Sequence, residues 1–168
     1  MPSWITVSRT PKSEYGALEN VLDAQRIGLI RKVEGVSDDL ARQAPTASSL
    51  SLLGLIKHAV TWEQRWFQVI MAGRQLPDRW PEVMPEPHDA ELFISNSDTV
   101  MQWIAIYREH IETSNAIAAA MDLDAPCARP DLIECNLRYV LLHMITETAR
   151  HAGHADIIRE TLDGSRGI

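Results

Sequence analysis

The sequence predicts an all-α protein, folded as a four-helix bundle, on three observations. Apolar residues recur at spacings of three, four and seven along four long stretches, which is the pattern of amphipathic helices. No stretch of useful length shows the apolar–polar alternation of a half-buried strand. A segment rich in proline, residues 74–94, separates the second stretch from the third and predicts a long crossover between helices.

The first part of the chain is predicted to be an arm followed by one long helix. Residues 1–13 are polar and carry two prolines, so we expect an N-terminal arm. Helical spacing of apolar residues then extends over residues 14–34, and Gly35 acts as the stop. Ser37 and the two aspartates after it are typical of the start of a short helix at residues 37–43.

Three further helices are predicted after this connection. The second long helix covers residues 50–71, where an apolar stripe ends before Gly73. The polar cluster 95–99 is a typical helix start, and the third helix runs from it to residue 121. The last helix covers residues 134–162 and is stopped by Gly164.

Composition and charge exclude several classes of function. A chain of 168 residues is most simply one domain, 1–168, that is long enough to bury a core. Its net charge of −7 argues against binding nucleic acid or an anionic membrane surface. The sequence has no apolar run that could span a bilayer and no apolar region of a secretory signal, so we expect a cytoplasmic protein. Cys127 and Cys135 are expected to be small packed residues in that reducing compartment.

The last helix carries a carboxylate and an imidazole where its core-facing stripe should be apolar. Glu147 and His151 lie one turn apart between Met144 and Ala155, so their side chains can converge on one point. A buried carboxylate is costly unless it is paired, protonated or bound to a metal. A divalent cation would therefore explain this pair. A metal-free network of hydrogen bonds is the alternative, and the spacing alone leaves both open.

A third metal ligand has to come from another helix. His58 is the only histidine outside the last helix that lies on a core-facing stripe, one turn before Trp62. His110 lies among acidic residues of the third helix and is expected to be solvated. His143, one turn before Glu147, is expected to form a hydrogen bond in the core.

Two segments resemble a known family. The run from Leu137 to Asp156 reads LRYVLLHMITETARHAGHAD, and residues 51–58 read SLLGLIKH, followed by Trp62-Glu63 and Trp66-Phe67. Both resemble the DinB-like superfamily of bacterial metalloenzymes, in particular its small actinobacterial members. The resemblance implies an up-down-down-up four-helix bundle, consistent with the crossover at 74–94.

The resemblance also implies a ligand set. Family members take one histidine from the second helix and two ligands four residues apart from the last, many of them with two histidines there. This chain has Glu147 and His151 instead, which is similar to the zinc site of mycothiol-dependent maleylpyruvate isomerase. By that mapping His58, Glu147 and His151 are the metal ligands. His154, the candidate catalytic residue, either supports a ligand or faces the substrate, and a role as a further ligand stays open.

The function implied by the resemblance is a metal-dependent transferase that joins a low-molecular-weight thiol, mycothiol, to electrophilic substrates. Zinc suits these ligands best, while nickel, iron or manganese also fit. Three alternatives remain open: an isomerase or hydrolase that uses metal-bound water, a non-catalytic metal-binding stress-response dimer, and a metal-free structural bundle. A homodimer is possible in each case.

Overall fold

The computed structural model of the protein describes residues 12–75 and 94–166. The prediction of an all-α protein is confirmed. Most of the predicted crossover, the arm up to residue 11 and the last two residues lie outside the described part, so the up-down-down-up order and the single-domain span stay predictions. The helices are α1 (Glu14–Val33), α2 (Asp38–Ala41), α3 (Leu52–Glu63), a π-helix (Gln64–Met71) that continues α3, α4 (Val100–Ala119) and α5 (Leu137–Asp163).

Short polar residues cap the N-termini of these helices with their side chains. Ser51 Oγ accepts a hydrogen bond from the Gly54 N–H at the start of α3, at 3.1 Å. Thr99 caps α4, and the Asn136 side chain caps α5. At the other end of α5, Gly164 has a φ of +76°, a conformation that glycine adopts without strain.

Helix α5 begins at Leu137, three residues later than predicted. Before it, Pro126 pairs with Asn136 in an isolated antiparallel β-bridge, and the Leu137 N–H donates to the Ala125 carbonyl oxygen at 3.1 Å. These bonds use backbone groups that a longer helix would need. Residues 134–136 therefore lie outside the helix, and the backbone of Asn136 is extended.

The long helices bury two apolar clusters, one toward each end of the molecule. Helix α1 packs most closely on α5, and α3 with its π-helical continuation packs on α4. One cluster includes Leu29, Leu55 and Ile111, and the other includes Leu22, Phe67 and Met144. None of the helices in the described ranges is long and apolar enough to cross a membrane.

A buried ion pair lies where the two clusters meet, and the sequence did not reveal it. Arg26 of α1 and Glu63 of α3 are 1% and 0% exposed. Both Arg26 Nε (3.2 Å) and Nη2 donate to the Glu63 carboxylate, while Nη1 donates to Asp23 (2.7 Å) and Asn115 (2.8 Å). One guanidinium thus joins three helices. Its partner Glu63 is the last residue of α3 before the π-helix begins.

Candidate functional site

Helices α3 and α5 bring two histidines into contact. The ring centroids of His58 and His151 lie 4.7 Å apart, with their planes at 77°. Both side chains are half-buried, and that of His151 is 18% exposed. The two helices pack against each other directly. Two imidazoles that are distant in the sequence therefore share one region of the fold, as the stripes on the two helices predict.

Glu147 lies beside His151 but is less buried than predicted. Its Oε2 is 3.8 Å from His151 Nε2, which is too long for a hydrogen bond. Its Oε1 accepts a bond of 2.7 Å from Arg150 Nη1, and Arg150 is on the surface. The expectation of a carboxylate in the dry interior is therefore wrong. The Glu147 side chain is 28% exposed because Arg150 draws it to the rim of the site.

His154 extends the group by one further turn of α5. Its ring centroid is 5.9 Å from that of His151. The Nδ1 atoms of both rings are buried, and neither has a hydrogen-bond partner in the described part of the chain. Burial, together with the neighbouring His58, His154 and Arg150, lowers the pKa of His151 to about 4. His151 is therefore neutral at physiological pH and keeps a lone pair.

The donor chemistry of this site fits a divalent cation. Neutral imidazoles and a carboxylate are the usual zinc ligands. A buried ring nitrogen without a partner costs free energy, and an ion would remove that cost. Among residues 12–75 and 94–166, however, no three side chains of the ligand types already stand together as a coordination sphere. His58 Nδ1 also accepts a bond of 3.2 Å from Trp62 Nε1, which leaves the proton of the neutral ring on Nε2.

Aromatic rings continue from the histidines along α3 and α5. Trp62 stacks on Trp66 at 6.5 Å, and Trp66 contacts the His143 ring at 4.3 Å. His143 in turn stacks on Tyr139 at 6.0 Å. Trp66 is buried, Trp62 is half-buried and Tyr139 is exposed. His143 thus packs among rings, and its burial lowers its pKa. Tyr139 was missed in the sequence, although its position four residues before His143 was a usable signal.

His110 does not lie in the solvent as expected. It is half-buried, and its Nδ1 is 2.8 Å from Gln68 Nε2 on the π-helix. Burial lowers the pKa of His110, while Glu109 opposes that effect. His110 is therefore a packing residue between α4 and the π-helix, and no contact joins it to the histidines of α5 in the described part.

Comparisons with known proteins identify the fold and the family of the chain. The crystal structure of a conserved protein from Enterococcus faecalis is similar to the chain, with a TM-score of 0.59 and 14% sequence identity. The match covers 91% of this chain and 99% of that one, and at this identity it supports the fold alone. No curated protein sequence matches. The family model for mycothiol-S-transferase matches residues 17–164, which is most of the chain. The chain therefore belongs to the mycothiol-S-transferase family, a member of the DinB-like group.

Proposed function

We propose that the protein is a metal-dependent S-transferase that joins mycothiol to electrophilic substrates, with His58, Glu147 and His151 as the metal ligands. The observation that carries this proposal is the contact between His58 and His151, next to a carboxylate and to buried ring nitrogens without partners. Family membership supports the choice of thiol. Zinc is the metal we favour, although nickel, iron or manganese suits the same donor atoms.

The metal would supply one chemical effect. A divalent cation lowers the pKa of a thiol, so that the thiol is present as its thiolate near neutral pH. To hold a metal ion, His58 would have to give up the bond from Trp62 or turn its ring, because the ring nitrogen that binds a metal carries no proton.

We assign to His154 the role of accepting the proton of the thiol. Its buried Nδ1 faces no hydrogen-bond partner in the described part of the chain, and it lies one turn from His151. The imidazole at this position accepts the proton that the thiol loses. The thiolate sulfur then forms a bond to the electrophilic carbon of the second substrate while the bond from that carbon to its leaving group breaks. The leaving group departs with the electron pair and takes up the proton from His154. Trp62 and Trp66 form an apolar wall that excludes water from one side of this reaction.

The neighbouring side chains hold these groups in place. Arg150 binds one oxygen of Glu147 and leaves the other, Oε2, directed at His151.

Three further features are part of the proposal. They are a cytoplasmic location, a possible homodimer and the up-down-down-up order of the bundle helices.

Metal content and thiol conjugation in purified variants test the proposal. The wild type is expected to hold close to one metal ion per chain and to conjugate mycothiol to monochlorobimane. His58→Ala and Glu147→Ala should lose most of the metal and at least 100-fold in conjugation rate. His110→Ala is the matched control, because it removes a half-buried histidine outside the site and should keep both properties.

Two outcomes would contradict the proposal. If His58→Ala or Glu147→Ala conjugates mycothiol at the wild-type rate, these residues do not hold a catalytic metal. If the wild type binds metal but forms no conjugate with any electrophile, the isomerase, hydrolase or non-catalytic alternatives replace the transferase.

A further inference from the structure

The connection between α4 and α5 places the two cysteines of the chain opposite each other. Pro126 and Asn136 form the antiparallel bridge, so the next pair in register is Cys127 and Cys135. The Cys127 N–H donates to the Cys135 carbonyl oxygen at 3.0 Å. Residues opposite each other in an antiparallel pair have Cα atoms about 4.5–5.5 Å apart, which a disulfide can span.

The thiols themselves are close and reduced. Both cysteines are free, Cys127 is 8% exposed and Cys135 is half-buried. The Cys127 Sγ–H donates to the Ile133 carbonyl oxygen at 3.1 Å. Burial and the neighbouring Cys127 thiol raise the pKa of Cys135 to about 11. Little thiolate therefore forms at neutral pH, so Cys135 attacks a disulfide slowly, and an excess of the small disulfide is needed for the exchange.

We propose that Cys127 and Cys135 are a redox-active dithiol, which closes to a disulfide by exchange with a low-molecular-weight disulfide. The Cys135 thiolate attacks one sulfur of that disulfide, its S–S bond breaks, and the first small thiol leaves with the proton that Cys135 lost. Cys127 then attacks the Cys135 sulfur of the mixed disulfide and releases the second small thiol with its own proton. The protein is oxidised by two electrons, and the small disulfide is reduced to two thiols.

A disulfide between Cys127 and Cys135 would stabilise the end of the π-helix, which carries Trp66. The segment between the cysteines supplies two N–H groups, from Ala128 and Arg129, which donate to the Ile70 carbonyl oxygen at 3.0 and 3.2 Å. These bonds cap the end of the π-helix. A disulfide across residues 127–135 reduces the entropy of the unfolded chain and holds this cap in place. We expect the oxidised protein to melt about 5–10 °C above the reduced one.

Intact mass measurement after treatment with 2-hydroxyethyl disulfide tests the pairing. Under native conditions the wild type should lose the mass of its two thiol hydrogens, remain monomeric on a non-reducing gel, and give a peptide that links Cys127 to Cys135. Cys127→Ser should instead keep a mixed disulfide on Cys135, and Cys135→Ser should react more slowly because Cys127 is buried. The wild-type mass change is the primary result, so it holds even if a serine variant folds poorly.

The same reagent in urea provides the control. If the unfolded wild type forms the disulfide while the folded protein stays reduced, keeps the small thiol or forms linked dimers, the pairing is wrong. If the disulfide forms but the melting temperature does not rise, the stabilisation of the π-helix end is wrong. Neither result depends on metal, mycothiol or the proposed transferase activity.

Discussion

The Arg26–Glu63 pair should be among the most sensitive positions for stability. Arg26 and Glu63 are 1% and 0% exposed, and Arg26 makes two bonds to the Glu63 carboxylate. Burial raises the pKa of Glu63 and Arg26 opposes that rise. Arg26→Met introduces an apolar side chain of comparable length and leaves Glu63 without its cation.

The expected cost of Arg26→Met is about 3–5 kcal/mol, because a buried carboxylate loses its counter-charge and has to be protonated or hydrated. That is a large part of the 5–15 kcal/mol that holds a typical domain together. The double variant Arg26→Met/Glu63→Leu removes both charges of the pair, although Asp23 and Asn115 lose their bonds from Arg26 and Ser114 loses its contact with Glu63. It should therefore lose less stability than Arg26→Met alone.

Urea unfolding followed by tryptophan fluorescence measures these differences as a double-mutant cycle. Arg138→Met is the matched control, since Arg138 pairs with Glu14 and Asp124 at the surface. It should cost no more than about 1 kcal/mol. A loss below about 1 kcal/mol for Arg26→Met, or strictly additive losses in the double variant, would refute the coupling.

Two further changes test local features. Burial would raise the pKa of Asp98, but bonds from Lys57 and a backbone N–H outweigh it and lower that pKa. Asp98→Asn should therefore cost about 1 kcal/mol at pH 7 and less at pH 3, because this stabilisation is complete above the unfolded pKa near 3.9 and is lost as pH falls through the lower folded pKa. Urea unfolding at both pH values measures it, and an equal loss at both would contradict the assignment. Gly73→Ala adds a Cβ at 3.0 Å from Ala128 at a φ of +65°, whereas Gly35→Ala meets no atom within 4 Å at +78°. Gly35→Ala should lower the free energy of unfolding by about 1 kcal/mol, and Gly73→Ala by about 2–3 kcal/mol. Equal losses would show that the contact of the new Cβ with Ala128 is relieved without cost.

Much of the helical structure was predictable because its causes are local. Apolar spacing and capping residues such as Ser51 and Thr99 act within one or two turns. The π-helix was not predictable, because the spacing of its apolar residues also fits an α-helix. The shift of its bonds from the fourth to the fifth preceding residue buries Gln68 and leaves Val69 half-buried. The late start of α5 was missed because the pairing of Pro126 with Asn136 joins residues on opposite sides of a turn.

The features of the candidate site also separate into those that local sequence predicts and those that it does not. Helical spacing was enough to place His58 on one core-facing stripe and His151 on another. The spacing of Glu147 and Arg150 permitted the ion pair that draws Glu147 to the rim, but nothing local favoured Arg150 over a core partner. The contact of Arg26 with Glu63 had no sequence signal, since it depends on how α1 and α3 pack against each other.

The sequence by itself determined which segments are helical, where most of them begin and end, and that His58 and His151 lie on core-facing stripes. A repeat of 3.6 residues per turn is a property of one helix alone, so it can be read without the rest of the chain. The contacts of His58 with His151 and of Cys127 with Cys135, and the exposure of Glu147, were decided only by the tertiary structure. Each of them depends on how separate segments are rotated and shifted against one another, and packing across the whole core determines that.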